Sequence, residues 1–176
     1  MPKFKIQNSK FNIILRAIEP EDADFMYAVE KDPAAWRYSD YVAPLSRELL
    51  RQYALTYDAD PLHSRQLRMI AEIENIPVGI ADLFDISPRH LRADTGIYIL
   101  PEFRGKGVGV SALKALGDFC AQRLGLHQIT ASVSKLNAEA LRCYHKAGFI
   151  ETGIRPQWWR TSDGFEDVAL LSKRLP

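Results

Sequence analysis

The sequence predicts an α/β domain of the mixed α+β kind, one sheet of six to seven strands flanked by about four helices. Three observations carry that expectation. Short alternating or β-branched runs and longer runs of helical periodicity follow one another in the order β-αα-βββ-α-β-α-ββ. A glycine-rich stretch, Arg104-Gly-Lys-Gly-Val-Gly109, lies between an apolar strand and a long amphipathic segment. No internal repeat, low-complexity tract or linker divides the 176 residues, a length that suits a single domain, 1–176, with a sizeable core.

Residues 11–18 alternate loosely and are β-branched, which predicts the first strand. Pro20 then opens a helix whose first turn carries Glu21 and Asp22, matching the helix dipole, and Asp32-Pro33 stops it. A loop bearing Trp36, Tyr38, Asp40 and Tyr41 follows. Ser46 caps a second helix, with Leu45 and Leu50 as a hydrophobic staple, and the helix ends before Asp60-Pro61. Residues 66–73 and 77–86 form a hairpin joined through Glu74-Asn75, and 94–100 a further strand. From Gly107 to Leu124 the apolar residues at 112, 113, 116, 119, 120 and 124 recur with helical spacing, and Gly125 stops the helix. Residues 127–133 form a strand, Asn137 caps a helix that Gly148 ends, and 149–160 with 165–171 close the chain as a hairpin around Ser162-Asp163-Gly164.

Composition narrows the partners. With 47% hydrophobic and 26% charged residues and a net charge of +1, nothing global calls for nucleic acid or an anionic membrane. No apolar run is long enough to span a bilayer, and Met-Pro-Lys-Phe-Lys-Ile lacks the apolar core of a signal peptide. Cys120 and Cys143 belong to no CxxC or Cys/His cluster, so no metal is expected. A reducing, cytoplasmic setting follows, with both thiols as small buried apolar groups. Homo-oligomerisation is left open.

The glycine-rich stretch carries the chemistry. Between a strand and a helix start, such a loop leaves backbone N–H groups unpaired, and with the positive end of the helix dipole they suit an anion such as a pyrophosphate. A P-loop reading fails because Lys106 is not followed by Ser or Thr. A dinucleotide reading fits poorly: Pro101-Glu102-Phe103-Arg104 separates the strand from the glycines, and no acid ends the strand at 129–133. Arg104-x-x-Gly107-x-Gly109 instead matches R/Q-x-x-G-x-G/A, and residues 137–149 match N-x-x-A-x-x-x-Y-x-x-x-G-F. In these two blocks, in this order, the chain resembles the GNAT superfamily of N-acetyltransferases. Leu15-Arg16 and the first helices are similar to the branch holding the ribosomal-protein and spermidine/diamine N-acetyltransferases.

The resemblance implies a mixed, mostly antiparallel sheet that splays between the strands at 94–100 and 127–133. It implies acetyl-CoA as co-substrate and direct attack by a primary amine, from a small molecule or a peptide or protein N-terminus. The amides of Arg104, Gly105, Lys106, Gly107, Val108, Gly109 and Val110 would hold the pyrophosphate, with positive charge added by Arg104 and Lys106. An amide near Ile99 or Leu100 would face the thioester oxygen. Asn137, besides capping its own helix, would touch the coenzyme arm. Tyr144 would supply a proton to the departing thiolate, against the alternative of a plain core tyrosine. A phenol of pKa about 10 is a weaker acid than a thiol of about 8.5, so it would act by hydrogen-bonding the charge as the bond breaks. His145 points about 100° away around the helix and is read as non-catalytic.

Other assignments stay open. Glu72, Asp82, Asp85 and Asp94 are candidates for a general base, and alternation puts Asp82 and Phe84 on one face. Trp36, Tyr38 and Asp40, with Asp82, are candidates for holding an alkylammonium acceptor. Of Trp158 and Trp159, one should point inward and at least one should be core. A coenzyme-binding sensor without catalysis is the alternative to an enzyme, and an NAD-dependent oxidoreductase a third class.

Overall fold

The computed structural model describes residues 4–5, 12–37, 43–58 and 60–176. Strands β1 (Phe4–Lys5), β2 (Ile13–Arg16), β3 (Leu67–Ile73), β4 (Ile76–Ser87), β5 (Arg92–Ile99), β6 (Gln128–Ser134), β7 (Ile150–Thr161) and β8 (Gly164–Arg174) form one sheet. Their order across it is β1-β2-β3-β4-β5-β6-β8-β7. Every neighbouring pair is antiparallel except β5 and β6. The helices are α1 (Ala23–Glu30), α2 (Pro33–Trp36), α3 (Arg47–Thr56), α4 (Pro61–Ser64), α5 (Val108–Leu124) and α6 (Ala138–Lys146).

Local chemistry explains most boundaries. Glu74 and Asn75 both adopt positive φ, 51° and 65°, which gives the β3–β4 hairpin a turn whose twist matches its strands. Ser46 accepts from the Leu49 amide and Asn137 from the Ala140 amide, as N-caps do. Gly125 ends α5 at φ 61° and Gly148 follows α6 at φ 95°. As expected, α1 ends before Asp32-Pro33 and α3 before Asp60-Pro61; Pro33 and Pro61 also begin the short helices α2 and α4, which the sequence reading did not include. A proline lacks an N–H that the first turn would leave unpaired anyway, so it starts a helix as readily as it stops one.

Strand alternation puts a core on each face of the sheet. Met69, Ala71, Ala81 and Leu83 join α5 residues Leu113 and Leu116 on one face. Ile70 and Ile80 meet Met26 and Val29 of α1 and Leu50 of α3 on the other. Burying a side chain of that size contributes about 1.5–3 kcal/mol, so the two faces anchor their helices independently.

An ionic knot ties β2 to β3 and to the turn that follows β2. Arg16 Nε lies 2.6 Å from Glu72 Oε2 on β3, and its terminal nitrogens lie 2.7 and 2.8 Å from the Asp22 carboxylate. Asp22 also accepts from the Glu19 amide at 2.8 Å, closing a capping box on the 3-10 turn Pro20–Asp22.

The decisive feature lies mid-sheet. β5 and β6 run parallel, but only Arg92–Asp94 pairs with Gln128–Thr130. Beyond those rungs the two strands diverge, β5 keeping its ladder with β4 through Ile99 and β6 its ladder with β8 through Ser134.

Arg16→Met tests the knot. It takes the guanidinium away from two buried carboxylates, so urea titration should show unfolding free energy lowered by about 3 kcal/mol.

Candidate functional site

In the β4–β5 ladder the Leu100 amide donates to Val78 O at 2.9 Å. Alternation along β5 then turns the main-chain groups of Thr95, Ile97 and Ile99 the other way, into the gap that β6 has left. Of the two amides expected at a thioester oxygen, Leu100's is therefore already used by the sheet, which leaves Ile99's. Two side chains reach this row of groups. Arg104 Nε donates to Ile99 O at 2.8 Å, and Tyr144 Oη lies 3.4 Å from Thr95 O.

The glycine loop follows a 3-10 turn, Pro101–Phe103. Gly105 and Gly107 take φ 71° and 94°, a backbone that side chains disfavour. Ser111 is the first amide of α5 with a helical partner, Gly107 O at 3.1 Å, and among the described residues the amides of residues 105–110 have no backbone acceptor. They are the bare donors that an anion at a helix start requires. A Cβ at Gly109 would sit 2.9 Å from Cys143 Sγ, so glycine lets α5 and α6 close on each other. The Val108 side chain is buried in the core, and only its amide faces the loop.

Arg104 is no free cation. Its guanidinium also lies 3.1 Å from Asp32 Oδ2 and 5.2 Å from the Tyr98 ring centroid, and Tyr98 donates to the same Asp32 oxygen at 2.6 Å. Burial and the Asp32 hydrogen bond push the Tyr98 phenol up to about 12, so it stays a donor. Lys106 is exposed, with Nζ 5.9 Å from the Phe103 ring centroid.

Two cavities open on the gap. A groove of about 430 Å³ runs between the loop, β5 and α6, lined by Ile99, Arg104, Gly105, Gly107, Gly109 and Val110 among others. Arg142 and Lys146, one turn apart on α6, also line it and were missed in the sequence because nothing in their spacing distinguishes them from a solvated face. A second cavity of about 780 Å³ lies on the side of α1 and α2, with Glu30, Trp36, Arg68, Asp82, Trp158 and Trp159 in its wall. Ile97, Tyr98, Asn137, Ala140 and Tyr144 line both, so the two meet at Tyr144.

Tyr144 is buried, its ring edge-on to Phe149 at 5.0 Å between centroids. Burial above all, with smaller contributions from Cys143 and Asp82, raises its pKa and keeps it a neutral phenol. His145 is exposed on the other side of α6, as the helix geometry requires. Cys120 is buried as expected, but Cys143 is only half-buried and lines the groove; burial pushes its thiol up to about 11.

The four acids considered as bases separate clearly. Glu72 is held in the Arg16 knot. Asp94 Oδ1 accepts from Thr130 Oγ1 at the last shared rung of β5 and β6. Asp85 is exposed, at φ 49° in a register irregularity that interrupts alternation. Asp82 and Phe84 share a face and line the second cavity, but Arg68 binds both Asp82 oxygens, at 2.8 and 2.7 Å.

Trp36 Nε1 donates to Glu30 O at 2.5 Å, which turns its ring to the cavity. Tyr38, Asp40 and Tyr41 lie outside the described residues. The tryptophan pair departs from expectation. Trp158 is 56% exposed and Trp159 half-buried, so neither is core, and both line the second cavity. The register slips between Arg155 and Trp159, with Gln157 at φ 48°, and the slip breaks the alternation on which the expectation rested. Among the described residues no group of three or more His, Cys, Asp or Glu could hold a metal ion, and no helix is long and apolar enough to cross a membrane.

Comparison with known proteins bears on this geometry. A family model described as Acetyltransferase (GNAT) domain matches residues 12–150. The spermidine N(1)-acetyltransferase of Escherichia coli K12 is 28% identical over 145 residues, 82% of this chain and 76% of that protein. The ribosomal protein bS18-alanine N-acetyltransferase of the same strain is 32% identical over 76 residues, 43% of this chain and 51% of that protein. The Vibrio cholerae spermidine N-acetyltransferase, solved with CoA and spermine, has a TM-score of 0.80 at 24% identity, covering 92% of this chain and 95% of that one. A dodecameric form of it has a TM-score of 0.77 at 25% identity, covering 92% and 93%.

Arg104→Ala probes the loop. Losing the clamp on Ile99 O and Asp32 should raise the coenzyme A dissociation constant about tenfold, near 1.4 kcal/mol, in calorimetric titration. An unchanged constant means that the guanidinium does not organise the loop.

Proposed function

We infer that this chain, which belongs to the GNAT family of acetyltransferases, moves the acetyl group of acetyl-CoA to a primary amine of a small polyamine or diamine. A peptide or protein N-terminal amine is the second reading, favoured by the stretch similar to the bS18-alanine enzyme. One observation carries the proposal: the groove beside the glycine loop and the aromatic-walled cavity meet at a single buried tyrosine, within a gap lined by spare main-chain groups.

Roles follow from that arrangement. The amides of residues 105–110 receive the pyrophosphate, the Arg104 amide expected beside them being taken by Pro101 O, with Arg142 and Lys146 on the facing helix adding positive charge. The coenzyme arm lies along β5 as a replacement for the missing β6 rungs, taking hydrogen bonds from Ile97 and from the Asn137 amide group. Asn137 uses its oxygen on the helix cap, and among the described residues its two N–H donors have no partner, which leaves them for this. Amine nitrogen attacks the thioester carbon, the Ile99 amide steadies the charge growing on oxygen, and the carbon–sulfur bond breaks. Tyr144 hydrogen-bonds the departing sulfur, and the proton that the attacking nitrogen sheds ends on that sulfur, so the phenol is neutral before and after the transfer. Holding both reactants in one place lowers the barrier by up to about 7–11 kcal/mol in favourable cases, more than any single group here supplies.

Self-assembly belongs to the same proposal. β7 is an edge strand, with Ile150 65%, Ile154 47% and Trp158 56% exposed. Among the described residues no further strand covers that edge, and an edge of that length invites pairing with a second copy. Light scattering should return a multiple of the 20.0 kDa chain. We place the enzyme in the cytoplasm, where its two free thiols would stay reduced.

Tyr144→Phe keeps the ring against Phe149 and removes the donor. Free-thiol release from acetyl-CoA should fall about 100-fold in kcat with the KM for acetyl-CoA within about twofold. Full activity in this variant would remove Tyr144 from the chemistry. A protein that binds coenzyme A yet releases no thiol with spermidine, putrescine or an alanine-ended peptide would overturn the transferase reading as a whole.

A further inference from the structure

The second cavity needs a counter-charge for an amine that arrives protonated, and the four sequence candidates do not supply one. Three are turned to other partners or to solvent, as described above. Asp82 faces the cavity, but two contacts to Arg68 neutralise it. An incoming cation would have to compete with a bidentate guanidinium already in place.

Glu30, the last residue of α1, is different. It lines the same cavity as Tyr144, Asp82 and Trp36. Among the described residues its carboxylate takes no hydrogen bond and joins no ion pair, while its main-chain oxygen holds the Trp36 indole. Glu30 is half-buried and shares the cavity wall with Trp36, and two cations of that wall are engaged elsewhere. Arg68 on β3 is engaged by Asp82 on β4, and Arg155 on β7 stacks 4.7 Å from the Trp158 ring centroid. Burial raises the Glu30 pKa, Arg68 opposes that and Asp82 adds to it, as expected of a carboxylate without its own cation.

We propose that Glu30 is the carboxylate that pairs with the acceptor's ammonium group, with the Trp36 ring beside it completing the seat. The assignment rests on the transferase reading and deepens it, because it names what holds the amine on the far side of Tyr144. The sequence gives no hint of it: Glu30 sits in an ordinary helix among surface residues, and only the fold turns it into the cavity.

Glu30→Gln and Glu30→Asp test it in the full-length protein. Kinetics use free-thiol release with spermidine, putrescine and an alanine-ended peptide amide, and calorimetry uses the same amines on enzyme saturated with coenzyme A. Glu30→Gln should raise the KM and the dissociation constant of the best amine at least tenfold, leave the acetyl-CoA KM within twofold and keep the wild-type melting temperature. Glu30→Asp, which keeps the charge and shortens the reach, should fall between the two. Equal amine constants in wild type and Glu30→Gln overturn the assignment while leaving the transfer reading intact. A wild type that binds coenzyme A but neither binds nor acetylates any of the amines overturns both.

Discussion

The site exists because two strands of one sheet stop pairing. β5 and β6 share only three rungs, and from Thr95 onward the inner edge of β5 faces a gap. Unpaired buried main-chain groups are costly, about 1–3 kcal/mol each when desolvated, so a gap of this kind would close unless something held it open. Three things do. The Asp94–Thr130 contact ends the shared ladder, Tyr144 is wedged in from α6 against Thr95 O, and Arg104 caps Ile99 O from the loop. The groups left over are those that an extended amide-bearing ligand can satisfy, which is how a coenzyme arm and a missing strand come to be interchangeable.

The same residues join the two halves of the site. Asp32 sits between α1, which presents Glu30, and α2, which presents Trp36, and it receives Tyr98 of β5 and Arg104 of the loop together. The glycine loop and the wall of the second cavity therefore share one ionic hinge. Arg104 is about one-third exposed and Asp32 less so, a setting in which the pair's value lies in geometry more than in energy. Cation–π contact with Tyr98 adds to that geometry. A shift of the loop on binding an anion would reach α2 through a single carboxylate.

How much of this was readable from residues alone differs by element. The glycine loop, the caps at Ser46 and Asn137 and the turn at Glu74-Asn75 depend on local backbone chemistry, and each lies where the sequence put it. The face shared by Asp82 and Phe84 was legible because β4 alternates regularly up to Phe84. The tryptophans were misread because a bulge is invisible to periodicity, and the short helices α2 and α4 were missed because a proline that stops one helix says nothing of another starting on it. Arg142, Lys146 and Glu30 could not be found at all. Each is an ordinary polar residue on a helix, and its importance comes from what the fold places opposite it.

Tyr144 shows how burial reconciles two demands. Desolvation raises its pKa, which makes the phenol a poorer acid in the equilibrium sense. The same desolvation strengthens any hydrogen bond it gives to a charge forming nearby, since fewer competing water dipoles screen it. A departing thiolate is such a charge, and it forms only as the carbon–sulfur bond breaks. In the proposed transfer, a donor that is neutral, set edge-on to Phe149 and already at the junction of both cavities would favour the transition state over the bound reactants. Burial opposes an ionised group in that place far more than a neutral one, and the contact with Thr95 O offsets the desolvation of the phenol's hydroxyl.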